Sequence, residues 1–296
     1  MGVTLLVLVG CGGEPSYHAR PKAAEAPATA RAYTPPAGFT TLRVGLTPYL
    51  EPGLLLAQRE PFRAWLAEEL GVAVELRVAA SYDDLGARMA AGEVDVGEFS
   101  PYAFVRARET MPGLVPMVSQ VADGSTSAAG YVVVRADSPL RTLEELAGKR
   151  LAFVDPASTT GYLLPTLLLA DRGVKIAAGD FLGNHPAVLL AVHEGRYDAG
   201  AVYQGALDSL EESHEIDPLD FRVIAKTPRI PRDILCARPE LDATVRDELT
   251  LLLLALSARS KEGRELLGPM RVNGFVAADV EAYAPIREAA HRIGAL

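Results

Sequence analysis

Cysteine, basic charge and long apolar runs are all scarce in this 296-residue chain, and each scarcity excludes a class of protein. Only Cys11 and Cys236 are present, too few for a disulfide-built scaffold. No apolar run approaches the roughly 18 residues that a membrane-spanning helix needs. The net charge is −9, which argues against a nucleic-acid partner. The five histidines show no metal-pair spacing and no cysteine cluster occurs, so we expect neither a metal nor a cofactor.

The chain does have the composition of a globular protein. Hydrophobic residues make up 49% and charged residues 23%, and the length suits two compact lobes. No Gly-x-x-x-x-Gly-Lys loop is present, which excludes a phosphate-loop ATPase.

The N-terminal segment has the pattern of a lipoprotein leader. A short apolar run at residues 3–9 leads into Leu-Val-Gly-Cys, which resembles a bacterial lipobox. We therefore expect a signal peptide over residues 1–11 and a lipid on Cys11. Residues 12–40 are rich in alanine and proline and indicate a flexible tether. The alternatives are a chance Gly-Cys-Gly and a disulfide to Cys236, which otherwise reads as a buried free thiol.

The first part of the body alternates strand and helix patterns. Strands are predicted at 41–46, 72–79, 94–97 and 114–121, and helices at 61–70, 82–91 and 101–109. This βαβα order predicts a largely parallel sheet covered by helices.

A second set of the same kind follows a small, polar stretch at residues 122–130. Its strands are predicted at 131–135, 151–154, 199–203, 221–225 and 234–237, its helices at 158–171 and 186–195, and the rest from 241 as helical. We therefore expect an α/β protein of two lobes, residues 41–121 plus 238–296 and residues 122–237. The ligand cleft is expected between them, at the carboxyl ends of the strands.

The segment from Asp155 to Pro165 carries the strongest chemical signal. It reads Asp-Pro-Ala-Ser-Thr-Thr-Gly-Tyr-Leu-Leu-Pro and leads from a strand into a helix. Free N–H groups at the helix start, with the hydroxyls of Ser158, Thr159 and Thr160, can cradle a tetrahedral oxyanion. A plain N-terminal cap is the other interpretation, because serine and threonine are favoured there.

This segment resembles the signature of the phosphonate/phosphite/phosphate substrate-binding proteins of ABC transporters. Six further features occur in the family's order, namely residues 79–82, 94–97, 130–131, His185, 197–200 and 228–233. The resemblance implies a two-lobe periplasmic-binding-protein fold, type II-like, with the ligand between the lobes. It implies binding without chemistry, an ABC permease and its ATPase as partners, and a monomer outside the cytoplasm, held to a membrane by its lipid alone.

The resemblance also implies roles for individual residues. The hydroxyls of residues 158–160 and the ring of His185 would bind the anion's oxygens, and Tyr82 and Tyr131 would close over the ligand. Asp233 would accept a hydrogen bond from the ligand. Because an ionised carboxylate only accepts hydrogen bonds, Asp233 favours an anion that keeps a proton, such as hydrogen phosphate, over sulfate.

One position departs from the family members that bind aminoalkyl phosphonates. They have a glutamate where this chain has Gly205, which disfavours 2-aminoethylphosphonate and favours phosphite, phosphate or a small phosphonate. Glu211 or Glu212 could supply the carboxylate instead.

Other functions remain open at this point. Ser158, His185 and Asp233 are the residue types of a nucleophilic triad, but Ser158 has no Gly-x-Ser-x-Gly surroundings, so we do not expect an enzyme. The alternatives are a binding protein for another small anion, such as a sulfonate, and a sensor that reports to a membrane receptor.

Overall fold

A computed structural model describes residues 33–209 and 216–296. The predicted signal peptide, Cys11, most of the tether and the pair Glu211 and Glu212 lie outside the described residues. Across the described ranges, no helix is both long and apolar enough to span a bilayer.

The strands are numbered in chain order. They are β1 Thr41–Leu46, β2 Ala73–Val78, β3 Val96–Phe99, β4 Val115–Val121, β5 Ser127–Ala128, β6 Gly130–Arg135, β7 Arg150–Phe153, β8 Ala178–Phe181, β9 Ala199–Tyr203, β10 Phe221–Lys226, β11 Ile230–Pro231, β12 Ile234–Ala237 and β13 Gly274–Ala277.

The α-helices used below are numbered in the same way. They are α1 Pro52–Leu70, α2 Tyr82–Ala90, α3 Pro101–Thr110, α4 Leu164–Asp171, α5 His185–His193, α6 Ala243–Ala255, α7 Lys261–Leu267 and α8 Ala284–Arg292.

Two sheets form the centres of the two lobes. The first has six strands in the order β13-β4-β12-β3-β1-β2, and the second has five in the order β10-β6-β9-β7-β8. The expectation of parallel pairing holds for β1 with β2 and β3 and for β7 with β8 and β9. Strands β4, β12 and β13 pair antiparallel, as do β6 and β10, so both sheets are mixed.

Each lobe has an aspartate just before a central strand that ties it to its neighbour. Asp95 accepts from the backbone N–H of Arg43 at 2.9 Å, and Asp198 accepts from that of Arg150 at 2.8 Å. Asp95 is buried and also ion-pairs with Arg238. Burial alone would raise its pKa, but the bonds from Arg43 and Arg238 outweigh burial and lower it. These two motifs are therefore structural and not part of a ligand site.

Hydrophobic packing covers both faces of the first sheet. Leu55 and Leu66 of α1 share one cluster with Leu249 and Leu253 of α6. A second cluster, which includes Leu85 and Phe104 of α2 and α3, continues into Val188 and Leu189 of α5 in the other lobe. The two lobes therefore meet through a continuous apolar contact beside the cleft.

The structure corrects several predicted boundaries. Helix α1 begins at Pro52 and not at residue 61. A proline is tolerated in the first turn of a helix, so Pro52 can start it. Strands β5, β8, β11 and β13 were not predicted. Strand β12 pairs with β3 and β4, so the chain re-enters the first lobe before Ile234 and not at 238. At the other end, Tyr33 and Phe39 already pack against the core, inside the segment predicted as tether.

Candidate functional site

A cavity of about 330 Å³ lies between the lobes and is lined by residues of both. Four helical segments begin at its wall, with Tyr82, Pro101, Thr159 and His185 among their first residues. Free N–H groups at a helix N-terminus carry partial positive charge. The backbone therefore gives the cavity an anion-attracting wall without a lysine.

The segment 158–160 forms part of this wall. Ser158 caps a single π-helical turn, Thr159–Leu163, and its Oγ accepts from the N–H of Gly161 at 3.1 Å. A Cβ on Gly161 would lie 2.5 Å from a Val154 methyl carbon, so only glycine fits here. Thr159 Oγ1 accepts from the N–H of Tyr102 at 2.7 Å, across the lobes. Each of these two hydroxyls accepts a protein hydrogen bond and so keeps its own proton for an anion.

His185 presents a fixed donor. Its ring is 3% exposed, and its Nδ1 accepts from the N–H of Tyr203 at 3.3 Å. Burial lowers the pKa of His185 to about 3, so the imidazole is neutral. A neutral imidazole that accepts at Nδ1 carries its proton on Nε2. His185 therefore offers an uncharged N–H to the cavity at any physiological pH.

Tyr82 brings a buried hydroxyl to the cavity wall. The side chain is 2% exposed and lines the cavity, and its hydroxyl, although near Ser158, has no partner at hydrogen-bond geometry among the described residues. Burial, with the nearby charge of Asp233, raises its pKa, so the group stays a protonated donor. Because an unpaired buried hydroxyl costs free energy, a ligand that pairs it is favoured.

Asp233 is the acceptor in the cavity wall. Its backbone oxygen accepts from the N–H of Gln120 at 2.9 Å, which continues the pairing of β12 with β4. Burial raises the pKa of Asp233 to about 7, and the nearby Glu98 adds to that effect, although Arg232 and Arg59 oppose it. Its carboxyl group therefore changes charge near neutral pH.

Sequence reasoning missed a buried ion pair behind this wall. Glu98, 6% exposed, accepts from Arg59 Nη2 at 2.6 Å and from Gln120 Nε2 at 3.0 Å. Tyr49 lines the cavity nearby, and its carbonyl accepts from the N–H of His185 at 3.2 Å. The signal for Glu98 was present: a charged residue inside the short buried strand Val-Gly-Glu-Phe.

The structure does not bring Tyr131 to the cavity. A Cβ on the preceding Gly130 would lie 3.0 Å from the Thr160 carbonyl oxygen, so Gly130 faces the segment 158–160. Successive strand residues point to opposite faces, which turns Tyr131 away. Its ring packs instead under Lys226, whose Nζ lies 5.1 Å from the ring centroid.

The remaining predicted residues do come together. Ser158, Thr159, Thr160, His185, Tyr82 and Asp233 all line the cavity, as does Gly205. Ser158 and His185 bond to backbone N–H groups and not to each other, which is the arrangement of a binding site and not of an activated nucleophile. Within the described ranges, no three His, Cys, Asp or Glu residues cluster as a metal site.

Comparison with known proteins gives the family. The family profile described as "ABC transporter, phosphonate, periplasmic substrate-binding protein" matches residues 44–283. The phosphate-import protein PhnD of Mycolicibacterium smegmatis is 29% identical over 223 residues, which span 71% of this chain and 70% of that protein. The phosphonates-binding periplasmic protein of Escherichia coli is 30% identical over 203 residues, 66% of this chain and 60% of its own length.

Solved structures share the fold. PhnD1 from Prochlorococcus marinus, in complex with methylphosphonate, aligns with a TM-score of 0.79 at 21% identity, covering 87% of this chain and 99% of that one. The aliphatic sulphonate binding protein SsuA of Escherichia coli aligns with a TM-score of 0.57 at 17% identity, covering 86% of each chain. Family profile, fold and cleft agree: the chain belongs to the phosphonate periplasmic substrate-binding proteins of ABC transporters, which bind their substrate outside the cytoplasm for import and are not enzymes.

Proposed function

We propose that this chain captures a phosphorus oxyanion, namely phosphite, phosphate or a small phosphonate, and delivers it to an ABC permease with its ATPase. The observation that carries the proposal is the polarity of the cavity. Ser158, Thr159, His185 and Tyr82 offer hydrogen-bond donors without a positive charge, while Asp233 offers an acceptor. A ligand that fits is an oxyanion that retains a proton.

Asp233 supports phosphorus over sulfur. A hydrogen phosphate or a phosphonate monoanion can donate its P–OH to the carboxylate, whereas sulfate has no proton at neutral pH. Sulfate would leave an acceptor facing its own negative charge, and such an unpaired buried group can reduce affinity by orders of magnitude.

Gly205 supports a ligand without an ammonium group. It lines the cavity and brings no carboxylate to it. Relatives are consistent with this size class, because one is named for phosphate import and one was solved with methylphosphonate.

Isothermal titration of the full chain with phosphite, phosphate, methylphosphonate, 2-aminoethylphosphonate and sulfate tests the proposal. At about pH 8.5, where Asp233 is ionised, we expect at least one of the first three to bind with micromolar affinity or tighter and sulfate to bind at least about tenfold more weakly. Tighter binding of sulfate or of a sulfonate such as taurine would refute it. Silence from all five would favour a larger ligand or a sensing role.

We further propose that the mature protein is a monomer attached to the membrane by a lipid on Cys11, through residues 12–32. Mass spectrometry of the membrane fraction from a bacterial host should show a lipid-modified N-terminal peptide. Cys11→Ser should release the protein in soluble form, and an unmodified Cys11 in the membrane fraction would contradict the anchor.

A further inference from the structure

Glu98 is a second carboxylate in the cavity wall that the proposed function does not use. It lies in β3 opposite Leu235 of β12, two residues after Asp233. Paired residues of antiparallel strands share a face, and so do residues two apart in one strand. Glu98 and Asp233 are therefore diagonal neighbours on the face of the first sheet that packs against α1, and both line the cavity.

The hydrogen bonds of Glu98 leave one oxygen available. Both protein donors, Arg59 Nη2 and Gln120 Nε2, bind the same atom, Oε1. The other oxygen, Oε2, receives no hydrogen bond from the described residues and is not among the atoms that protein encloses completely. Arg59 is 4% exposed and does not line the cavity, so it balances the charge of Glu98 from behind.

The ion pair with Arg59 determines which ligand groups can donate favourably to Glu98. Because Arg59 already neutralises Glu98, this carboxylate gains little from a ligand ammonium. A P–OH group satisfies the free oxygen and adds no charge. Two neighbouring acceptors, Asp233 and Glu98, therefore match a ligand with two P–OH groups on one phosphorus.

We propose that Glu98 is a specificity-determining residue that makes the site select phosphate as its dihydrogen form. Dihydrogen phosphate has two P–OH groups, one for Asp233 and one for Glu98. The monoanions of phosphite and methylphosphonate have only one, and present a P–H bond or a methyl group to the second acceptor. The inference rests on the proposed function and names its ligand.

Proton uptake during binding tests the proposal. Between pH 8 and 9, phosphate in solution is mainly the dianion, so a site that binds the dihydrogen form takes up about one proton per ligand. Titration calorimetry of the full chain in buffers of different ionisation enthalpy should show this uptake, and phosphate affinity should fall about tenfold per pH unit. Wild-type protein should also bind phosphate about tenfold or more tightly than phosphite or methylphosphonate.

The variant Glu98→Gln isolates the second acceptor. The amide keeps Oε1 for Arg59 and places a donor where Oε2 was, so phosphate should bind as the dianion. Proton uptake with phosphate should fall to near zero and its pH dependence should flatten, while uptake with methylphosphonate stays as in wild type. Glu51→Gln is the control, because Glu51 is an exposed carboxylate outside the cavity lining that accepts from Asn184 Nδ2; it should behave as wild type.

The outcomes separate this inference from the proposed function. If no phosphorus anion binds, the proposed function fails. If phosphate binds without proton uptake, or if Glu98→Gln weakens all ligands and leaves the uptake unchanged, Glu98 only holds Arg59 and the inference is wrong. Tighter binding of 2-aminoethylphosphonate than of phosphate would also overturn it. Should Glu98→Gln not fold, the wild-type preference decides: phosphate bound no more tightly than phosphite and methylphosphonate would overturn the inference.

Discussion

The substitution Asp233→Asn should raise the affinity of the site for sulfate, and the pKa of Asp233 sets the size of that gain at each pH. In wild type this carboxyl group, raised to a pKa of about 7, repels sulfate when ionised and can donate to it when protonated. Sulfate affinity should therefore be highest below pH 7 and fall about tenfold per pH unit above it. The asparagine amide donates at every pH, so the variant should bind sulfate about tenfold more tightly than wild type at pH 8 and about a hundredfold at pH 9.

Titration calorimetry with sulfate and phosphate from pH 6 to pH 9 measures this directly. Asp123→Asn is the matched control, since Asp123 also lines the cavity but is exposed and paired with Arg232; it should keep the wild-type pH dependence. Sulfate affinity in wild type that does not change across pH 7, or an Asp233→Asn variant that binds sulfate no more tightly than wild type at pH 9, would refute the proton-reading role of Asp233.

The raised pKa of Asp233 also makes the free energy of unfolding depend on pH. The pKa of Asp233 is raised in the folded chain above its ordinary value, so folding favours the protonated form. Its contribution to the free energy of unfolding is present at low pH and is lost as pH rises toward 7. Thermal unfolding of the ligand-free chain should therefore show Asp233→Asn gaining stability relative to wild type between pH 5 and pH 8. A constant difference would contradict the shift.

Three further changes test single groups by titration calorimetry. Tyr82→Phe removes the unpaired hydroxyl and should weaken phosphate binding about tenfold to a hundredfold, because bonds to charged groups are worth about 1.5–3 kcal/mol; unchanged affinity would place that hydroxyl off the ligand. His185→Gln keeps a donor near Nε2 and should bind phosphate more tightly than His185→Asn, which keeps only the acceptor near Nδ1; the reverse order would contradict the tautomer. Gly205→Glu should raise the affinity for 2-aminoethylphosphonate about tenfold relative to that for methylphosphonate, because the new carboxylate can pair with the ligand ammonium. The Tyr203 ring must shift to make room, since a Cβ on residue 205 would lie 2.9 Å from that ring. No relative gain would show that residue 205 does not contact the ligand's substituent.

Local patterns in the sequence were enough to predict the architecture and one wall of the cavity. Strand and helix periodicity predicted most elements of both sheets, because it is fixed by which face each element buries. The Ser-Thr-Thr-Gly segment at 158–161 predicted the capped helix start at the cavity wall, since capping chemistry and the need for glycine act over a few residues. Its Pro165 fits for the same reason, inside the first turn of α4.

Errors arose where a contact joins distant parts of the chain. Tyr131 was predicted to face the ligand, but the face it takes depends on the register of β6 with β9 and β10, which brings Lys226 over its ring. The lobe boundary was placed at 238, but pairing with β3 and β4 draws β12 into the first sheet. No local pattern specifies either pairing.

The sequence by itself determined the α/β class, the capped helix start at Ser158 and the family, because these depend on neighbouring residues and on an ordered set of motifs. Only the tertiary structure decided what lies on the opposite wall of the cavity. Arg59, Glu98, Gln120 and Asp233 come from four separate segments and become neighbours through sheet pairing and the packing of α1. Their burial raises the pKa of Asp233 and leaves Glu98 half-satisfied, and burial is a property of the folded chain.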